Sequence, residues 1–185
     1  MKRGLFITVE GADGSGKSTQ IEFICEYLER KNIDYIFTRE PGGTPISEKI
    51  RAIILDKDNS EMDPVAEALL YAASKAQHVN QLIGLALERG KVVICDRFVD
   101  SSIAYQGYGR SLGELVSVIN SYAIGKYMPD ITFLFELQIV GEILHNYSKI
   151  RQLNLLVRVA WYRSGADVQS EREYLTSYSD RKSVV

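Results

Sequence analysis

Residues Gly11 to Ser18 read GADGSGKS, the spacing GxxxxGK followed by Ser or Thr. Glycines at that spacing let the backbone turn with its N–H groups inward, a nest for phosphate oxygens. A helix opening at Lys17 adds its positive N-terminal end. In such a loop Lys17 reaches the outer phosphates and the Ser18 hydroxyl ligates Mg²⁺. The expected triphosphate-binding residues are Gly11, Ala12, Asp13, Gly14, Ser15, Gly16, Lys17, Ser18 and Thr19. The competing reading is a Gly-rich turn with an exposed lysine. The context opposes it, because an apolar run, GLFITV, precedes the loop and an amphipathic pattern follows.

The loop specifies a nucleoside triphosphate, not a reaction. The guanine-reading pattern Asn-Lys-x-Asp is absent, which argues against a GTPase, and a chain of 185 residues is short for a motor or transporter ATPase. A small-molecule kinase remains, and its acceptor would bring further negative charge beside the triphosphate. Several cations are then needed near the loop. Arg39, Arg51 and Arg97 lie at or just past strand ends, or on the following helix. A planar guanidinium binds phosphate bidentately; the competing reading of each arginine is a surface ion pair. Asp96 closes the strand KVVIC, where an acid can hold Mg²⁺ through water or orient Arg97. Glu10 and Glu40 end the two other strands near the loop. They would either support these groups or serve as helix caps and local ion pairs. Tyr71 and Lys75 are four apart and share a helix face, which suits either a pocket or a core aromatic beside a lysine. His78 and His145 show no metal-ligand spacing and read as structural.

The elements that must position these groups follow from periodicity. Gly4 to Val9, Ile33 to Thr38, Lys91 to Cys95 and Ile131 to Leu137 read as strands. Lys17 to Lys31, Ile46 to Leu55, Pro64 to Arg89 and Leu112 to Lys126 read as helices. Asp63 and Pro64 supply a cap and first turn, and Gly90 and Pro129 close the helices before them. Strands alternating with helices imply a parallel sheet covered on both faces, with ligands at the carboxyl ends of the strands.

Four segments in this order carry a resemblance: VEGADGSGKSTQ, TREPGGT, EALLYAASKAQHV and DRFVDSSIAYQGYGR. Together, from Gly4 to about Leu137, the chain closely resembles the bacterial thymidylate kinases, a family of nucleoside-monophosphate kinases. The resemblance implies an α/β phosphate-loop kinase domain over residues 1–185, a three-layer sandwich around a five-stranded parallel sheet. It implies transfer of the γ-phosphate of ATP to dTMP with Mg²⁺, giving dTDP, with Lys17, Arg97, Asp96 and Arg39 as the catalytic set. The acceptor site it implies comprises Asp13, Arg39, Arg51, Tyr71, Lys75, Arg97, Ser102, Tyr105 and Gln106. Within that set Asp13 would meet the 3′-hydroxyl, and Tyr71 would stack on the base. Ser102 and Gln106 would read its edge, and Tyr105 would crowd the ribose 2′ position. Lys75 stands where relatives commonly carry Arg; it keeps a donor but loses the fork. The metal-holding residues would be Ser18 and Asp96. A cytoplasmic homodimer is expected, with no nucleic-acid or membrane partner.

Composition agrees with a soluble enzyme. Apolar residues are 45% and charged residues 25% of the chain, and the net charge of −2 is too small for a general nucleic-acid or membrane-surface binder. The apolar run after Lys2 and Arg3 stops at Glu10, too short for a signal peptide. Cys25 and Cys95 are too few for a disulfide framework and read as buried thiols.

After Leu137 the resemblance fails. Relatives close a lid over ATP, and when the phosphate loop lacks an arginine the lid supplies one. No Asp-Arg-x-Glu lid pattern follows Leu137. The acid-free stretch from Ile143 to Ala166 carries Lys149, Arg151, Arg158 and Arg163, so Arg151, Arg158 and Arg163 are the lid candidates. A helix is expected within Val140 to Val159 and a short strand at Ser183 to Val185. Two alternatives stand beside dTMP phosphorylation. One is a kinase for another pyrimidine monophosphate. The other is a nucleotide-binding chain whose catalysis is impaired by this diverged segment.

Overall fold

The computed structural model describes residues 2–144, 150–162 and 170–178, and from residue 137 onward the backbone only. Strand β1 (Phe6–Gly11) is central. It pairs in parallel with β3 (Val92–Asp96) on one side and β4 (Ile131–Leu144) on the other; β2 (Tyr35–Arg39) adds in parallel outside β3. Strands β5 (Ile150–Tyr162) and β6 (Ser170–Tyr178) continue the sheet beyond β4, both antiparallel to their neighbours, in the order β2-β3-β1-β4-β5-β6. The α/β architecture is the expected one, but the parallel part has four strands instead of five. A fifth parallel strand would need a long crossover back across the sheet; an antiparallel one needs only a turn.

The helix expected within Val140 to Val159 is likewise replaced by the end of β4 and most of β5. Its apolar residues Leu153, Leu155, Val157, Val159 and Trp161 alternate at period two, a strand pattern. The strand expected at Ser183 to Val185 and the residue His145 lie outside the described residues.

The helices are α1 (Lys17–Arg30), α2 (Pro45–Leu55), α3 (Pro64–His78), α4 (Gly84–Glu88), α5 (Val99–Ser102) and α6 (Glu114–Ile124). A π-helical segment, Val79–Ile83, joins α3 to α4, so the long helix expected from Pro64 is one rod with a wide turn in it. A second π segment, Ile103–Tyr108, extends α5. Asp63 caps α3 as its sequence suggests, accepting from the N–H groups of Val65 at 2.8 Å and Ala66 at 3.3 Å.

Neighbouring strand residues point to opposite faces, and the core divides accordingly. Val93 and Cys95 of β3 pack with Phe6, Val79, Ile83, Leu87, Phe98 and Ile124 on one face. Ile94 packs with Val9, Ile21, Leu28 and Phe135 on the other, under α1. These are two helical layers on one sheet. Cys95 is fully buried, whereas Cys25 is only half-buried, short of the burial expected for it. The core leaves the carboxyl ends of β1, β2 and β3 side by side.

Candidate active site

The chain leaves β1 through Gly11, whose φ is +140°. A Cβ there would stand 2.3 Å from the Phe135 carbonyl oxygen of β4, so only glycine lets the loop depart this close to the sheet. Gly14 and Gly16 adopt φ of +79° and +88°, which turns the loop into a concave backbone arc. Helix α1 then starts at Lys17 with no side chain capping its first N–H groups and no acid in its first turn. Those donors and the helix dipole suit an anion. The Lys17 ammonium lies across the loop, donating to the carbonyls of Gly11 at 2.8 Å and Ala12 at 2.7 Å. Burial and the neighbouring Arg97 charge push its pKa down from the ordinary lysine range.

Beside this loop, the ends of β2 and β3 and the flank of α3 enclose a cavity of about 360 Å³. All nine expected acceptor-site residues line it. Asp13 comes from the loop; Arg39 and Arg51 from β2 and α2; Tyr71 and Lys75 from α3; and Arg97, Ser102, Tyr105 and Gln106 from the segment after β3. Asp96 lines it as well. A run of short motifs scattered over ninety residues thus converges on one hollow.

Arg97 holds the boundary between loop and cavity. Its guanidinium donates to Asp13 Oδ1 at 2.5 Å and to Ser101 Oγ at 3.3 Å, and its carbon lies 5.6 Å from the Tyr105 ring centre. Its backbone has φ +68°, a left-handed conformation rare for a residue with a Cβ. Such strain concentrates at functional sites, where surrounding contacts hold it in place. Arg39 and Arg51 converge on one oxygen, the Pro41 carbonyl, at 2.9 and 2.8 Å. Arg39 also meets Glu48 at 3.2 Å.

The two glutamates resolve in favour of structure. Glu10 is 3% exposed and accepts from the N–H groups of Phe98 at 2.7 Å and Ser101 at 3.3 Å, and from the Ser101 hydroxyl at 2.5 Å. It caps the turn that carries Arg97 and α5. Burial raises its pKa above the usual carboxylate value, against the pull of those hydrogen bonds. The Glu40 carboxylate is hydrogen-bonded to neither Arg39 nor Arg97. Its carboxylate takes the Lys75 ammonium on one oxygen and His78 Nδ1 at 3.2 Å on the other. Lys75 also stands 4.5 Å over the Phe98 ring. His78 is fully buried, and its Nε2 bonds the Thr38 hydroxyl at 2.7 Å, which bears out its structural reading.

Sequence reasoning passed over Phe98, Ser101, Pro41 and Leu55, which also line the cavity. Phe98 and Ser101 fall inside the DRFVDSS segment, so their signal was present. The Pro41 carbonyl is a backbone group with no residue-type signature. Arg151 and Arg158 lie on β5, and Arg163 lies outside the described residues.

The site can be tested for Mg²⁺. Among the described residues, no group of three or more His, Cys, Asp or Glu is placed to hold a metal. Mg²⁺ in kinases usually needs only one or two protein oxygens, with substrate phosphates and water completing its shell. Asp96 Oδ1 is buried without a hydrogen-bond partner, and Ser18 is exposed in the first turn of α1. An orphaned carboxylate oxygen beside a phosphate loop fits that requirement.

Comparison with known proteins agrees with this geometry. The family model described as Thymidylate kinase matches residues 9–149. A thymidylate kinase of Clostridium novyi is 55% identical over 139 residues, covering 75% of this chain and 68% of that protein. One from Halothermothrix orenii is 57% identical over 138 residues, covering 74% and 66%. The chain thus matches about two thirds of the length of these curated relatives. A crystal structure of thymidylate kinase from Ehrlichia chaffeensis superposes with a TM-score of 0.65 at 42% identity, covering 71% of this chain and 74% of that one. Loop, cavity, fold and these matches all converge, and the chain belongs to the thymidylate kinase family.

Proposed function

We propose that the protein transfers the γ-phosphate of ATP to dTMP, giving dTDP. The observation that carries this reading is the cavity beside the phosphate loop, lined by three arginines, three aromatics and a set of buried polar side chains. Arg39 and Arg51, converging on the Pro41 carbonyl, form the clamp for the acceptor phosphate. Arg97, next to Lys17, faces the transferring group. Tyr71 supplies a flat surface for the base; burial and the Glu67 charge push its phenol pKa up from the ordinary tyrosine value.

The acceptor phosphate needs no general base, because its second pKa is near 6 and it is mostly a dianion at neutral pH. Catalysis is then positioning plus charge neutralisation. Lys17 and the N–H groups of the loop hold the donor phosphates in line with the acceptor. Ser18 and Asp96 would hold Mg²⁺, which would neutralise charge on the donor phosphates. Of the lid candidates on described strands, Arg158 is favoured. Phe135 stands opposite Gly11, and the next residue, Glu136, stands opposite Arg158, so Arg158 is level with the phosphate loop by register.

We also assign a homodimer to the chain, through α3. Val65 and Leu69, one turn apart on that helix, are 39% and 51% exposed. Light scattering at micromolar concentration tests it. No helix among the described residues is long and apolar enough to cross a membrane.

The activity is tested by ADP release from Mg·ATP with dTMP, beside dUMP, CMP, AMP and GMP. Strong preference for dTMP is the expected result. Equal turnover of CMP would favour a broader pyrimidine kinase. ATP binding without turnover of any acceptor would overturn the reading and mark a nucleotide-binding chain.

A further inference from the structure

We propose that Glu67, through Gln106, fixes the hydrogen-bonding sense of the cavity and so makes the site reject 4-amino pyrimidines. This inference rests on the reading of the cavity as a pyrimidine-monophosphate site. Gln106 lines the cavity and is 3% exposed. Its side-chain amide has a donating and an accepting end, and a free amide can turn over to present either. Here it cannot. Gln106 Nε2 lies 3.0 Å from Glu67 Oε1. An ionised carboxylate only accepts, so the nitrogen must face Glu67. The reverse orientation would press the amide oxygen against a carboxylate oxygen.

Glu67 is itself held. Its second oxygen accepts from Arg110 at 2.9 Å, and its side chain is only 14% exposed. Arg110 thus occupies one carboxylate oxygen and leaves the other on Gln106. A chain Arg110–Glu67–Gln106 runs from the surface to the cavity wall and leaves the Gln106 carbonyl oxygen as an acceptor facing away from Glu67.

A 4-keto pyrimidine carries an N3–H donor, which that oxygen accepts. A 4-amino pyrimidine carries an unprotonated N3, itself an acceptor, and would require the amide to turn over. A site built on a fixed buried donor or acceptor rejects the mismatched analogue strongly, because one buried polar group is left unpaired. Glu67 touches no substrate in this scheme; it is a positioning residue acting through Gln106.

The test compares kcat/KM for dTMP and dCMP in wild type, Glu67→Gln and Arg110→Gln. Gln at position 67 keeps the shape but both donates and accepts, so Gln106 gains freedom to turn over. The dTMP-to-dCMP ratio is expected to fall at least tenfold in Glu67→Gln. A two- to fivefold fall is expected in Arg110→Gln, which lies at the surface and leaves the fold intact. The dTMP-to-dUMP ratio and the KM for ATP are expected to hold, since neither senses the 4-position. A purely structural role for Glu67 would lower both substrates together. An unchanged dTMP-to-dCMP ratio in both variants overturns the proposal. Absence of dTMP turnover in wild type would instead overturn the functional reading beneath it.

Discussion

Burial and the Arg97 charge both push the Lys17 ammonium below its ordinary range, so at neutral pH the fold holds a charge it would be more stable without. That penalty applies below the folded pKa and is relieved as pH rises toward the ordinary value of 10.5. Lys17→Met is therefore expected to lose at least three orders of magnitude in turnover, since the transferring phosphate loses its nearest cation. Its melting temperature is expected to equal or exceed wild type; a large drop would show that Lys17 acts mainly through structure. Glu10 has the opposite sign. Burial raises its folded pKa above 4.5, so its contribution to stability is fully present below 4.5 and is lost as pH rises through the folded value. Glu10→Gln lacks this window. Its melting temperature relative to wild type is expected to climb between about pH 4.5 and neutrality, and a flat difference across that range would contradict the assignment. Both residues were visible in the sequence, Lys17 as the cation of the phosphate loop and Glu10 as a carboxylate at a strand end. That Glu10 caps a turn instead of supporting a metal was not, because the choice depends on where the Phe98 and Ser101 N–H groups fall.

Strand β2 and helix α3 are tied by one buried polar cluster. Thr38 is the last residue but one of the strand, Glu40 opens the loop after it, and Lys75 and His78 belong to α3. The loop presses so closely on the helix that a Cβ on Gly43 would stand 2.4 Å from His78 Nε2. This cluster fixes the Pro41 carbonyl, and with it both Arg39 and Arg51. Replacing Glu40 by Gln leaves the Lys75 charge buried at 2% exposure without a counterion. Breaking one partner of a buried pair typically costs about 3 kcal/mol or more. Glu40→Gln is expected to lower the urea midpoint accordingly at unchanged slope, and to raise the KM for dTMP more than that for ATP. A midpoint within error of wild type would show that the cluster is not a tie. The elements up to Leu137 were legible because their periodicities are clean and their ends carry caps, as at Asp63, or breakers, as at Gly90 and Pro129. The turn carrying Tyr105 and Gln106 was not read as helical at all, and its π geometry explains why: residues there do not repeat at 3.6. Strand β5 reads less cleanly, because the apolar Leu156 and Ala160 break the period-two alternation of its odd-numbered residues.

For the molecule as a whole, the acceptor half and the donor half are built differently. The acceptor half is enclosed by β2, β3, α2, α3 and the turn after β3, and every residue expected there lines one cavity. On the donor side the sheet continues beyond β4 with the antiparallel strands β5 and β6, and of the lid candidates Arg151 and Arg158 lie on β5. Strand β5 lies two strands from β1, about 10 Å across the sheet at the usual spacing. Val159 is level with Gly11 through Phe135, so Arg158 lies one residue past that level, whereas Arg151 lies seven residues further along, roughly 20 Å at the rise of an extended chain. Of the two, Arg158 is the nearer to the loop by register. Its register partners, Glu136 on β4 and Glu173 on β6, offer it a second role, a cross-strand ion pair. The two roles separate on one variant. A phosphate-reaching Arg158 predicts that Arg158→Ala lowers kcat at least tenfold, with ATP affinity nearly unchanged and the melting temperature within about two degrees of wild type. Arg151→Ala would then change kcat less than twofold. A cross-strand ion pair predicts the reverse for Arg158→Ala, a lower melting temperature with kcat intact, and that outcome would remove Arg158 from the donor site.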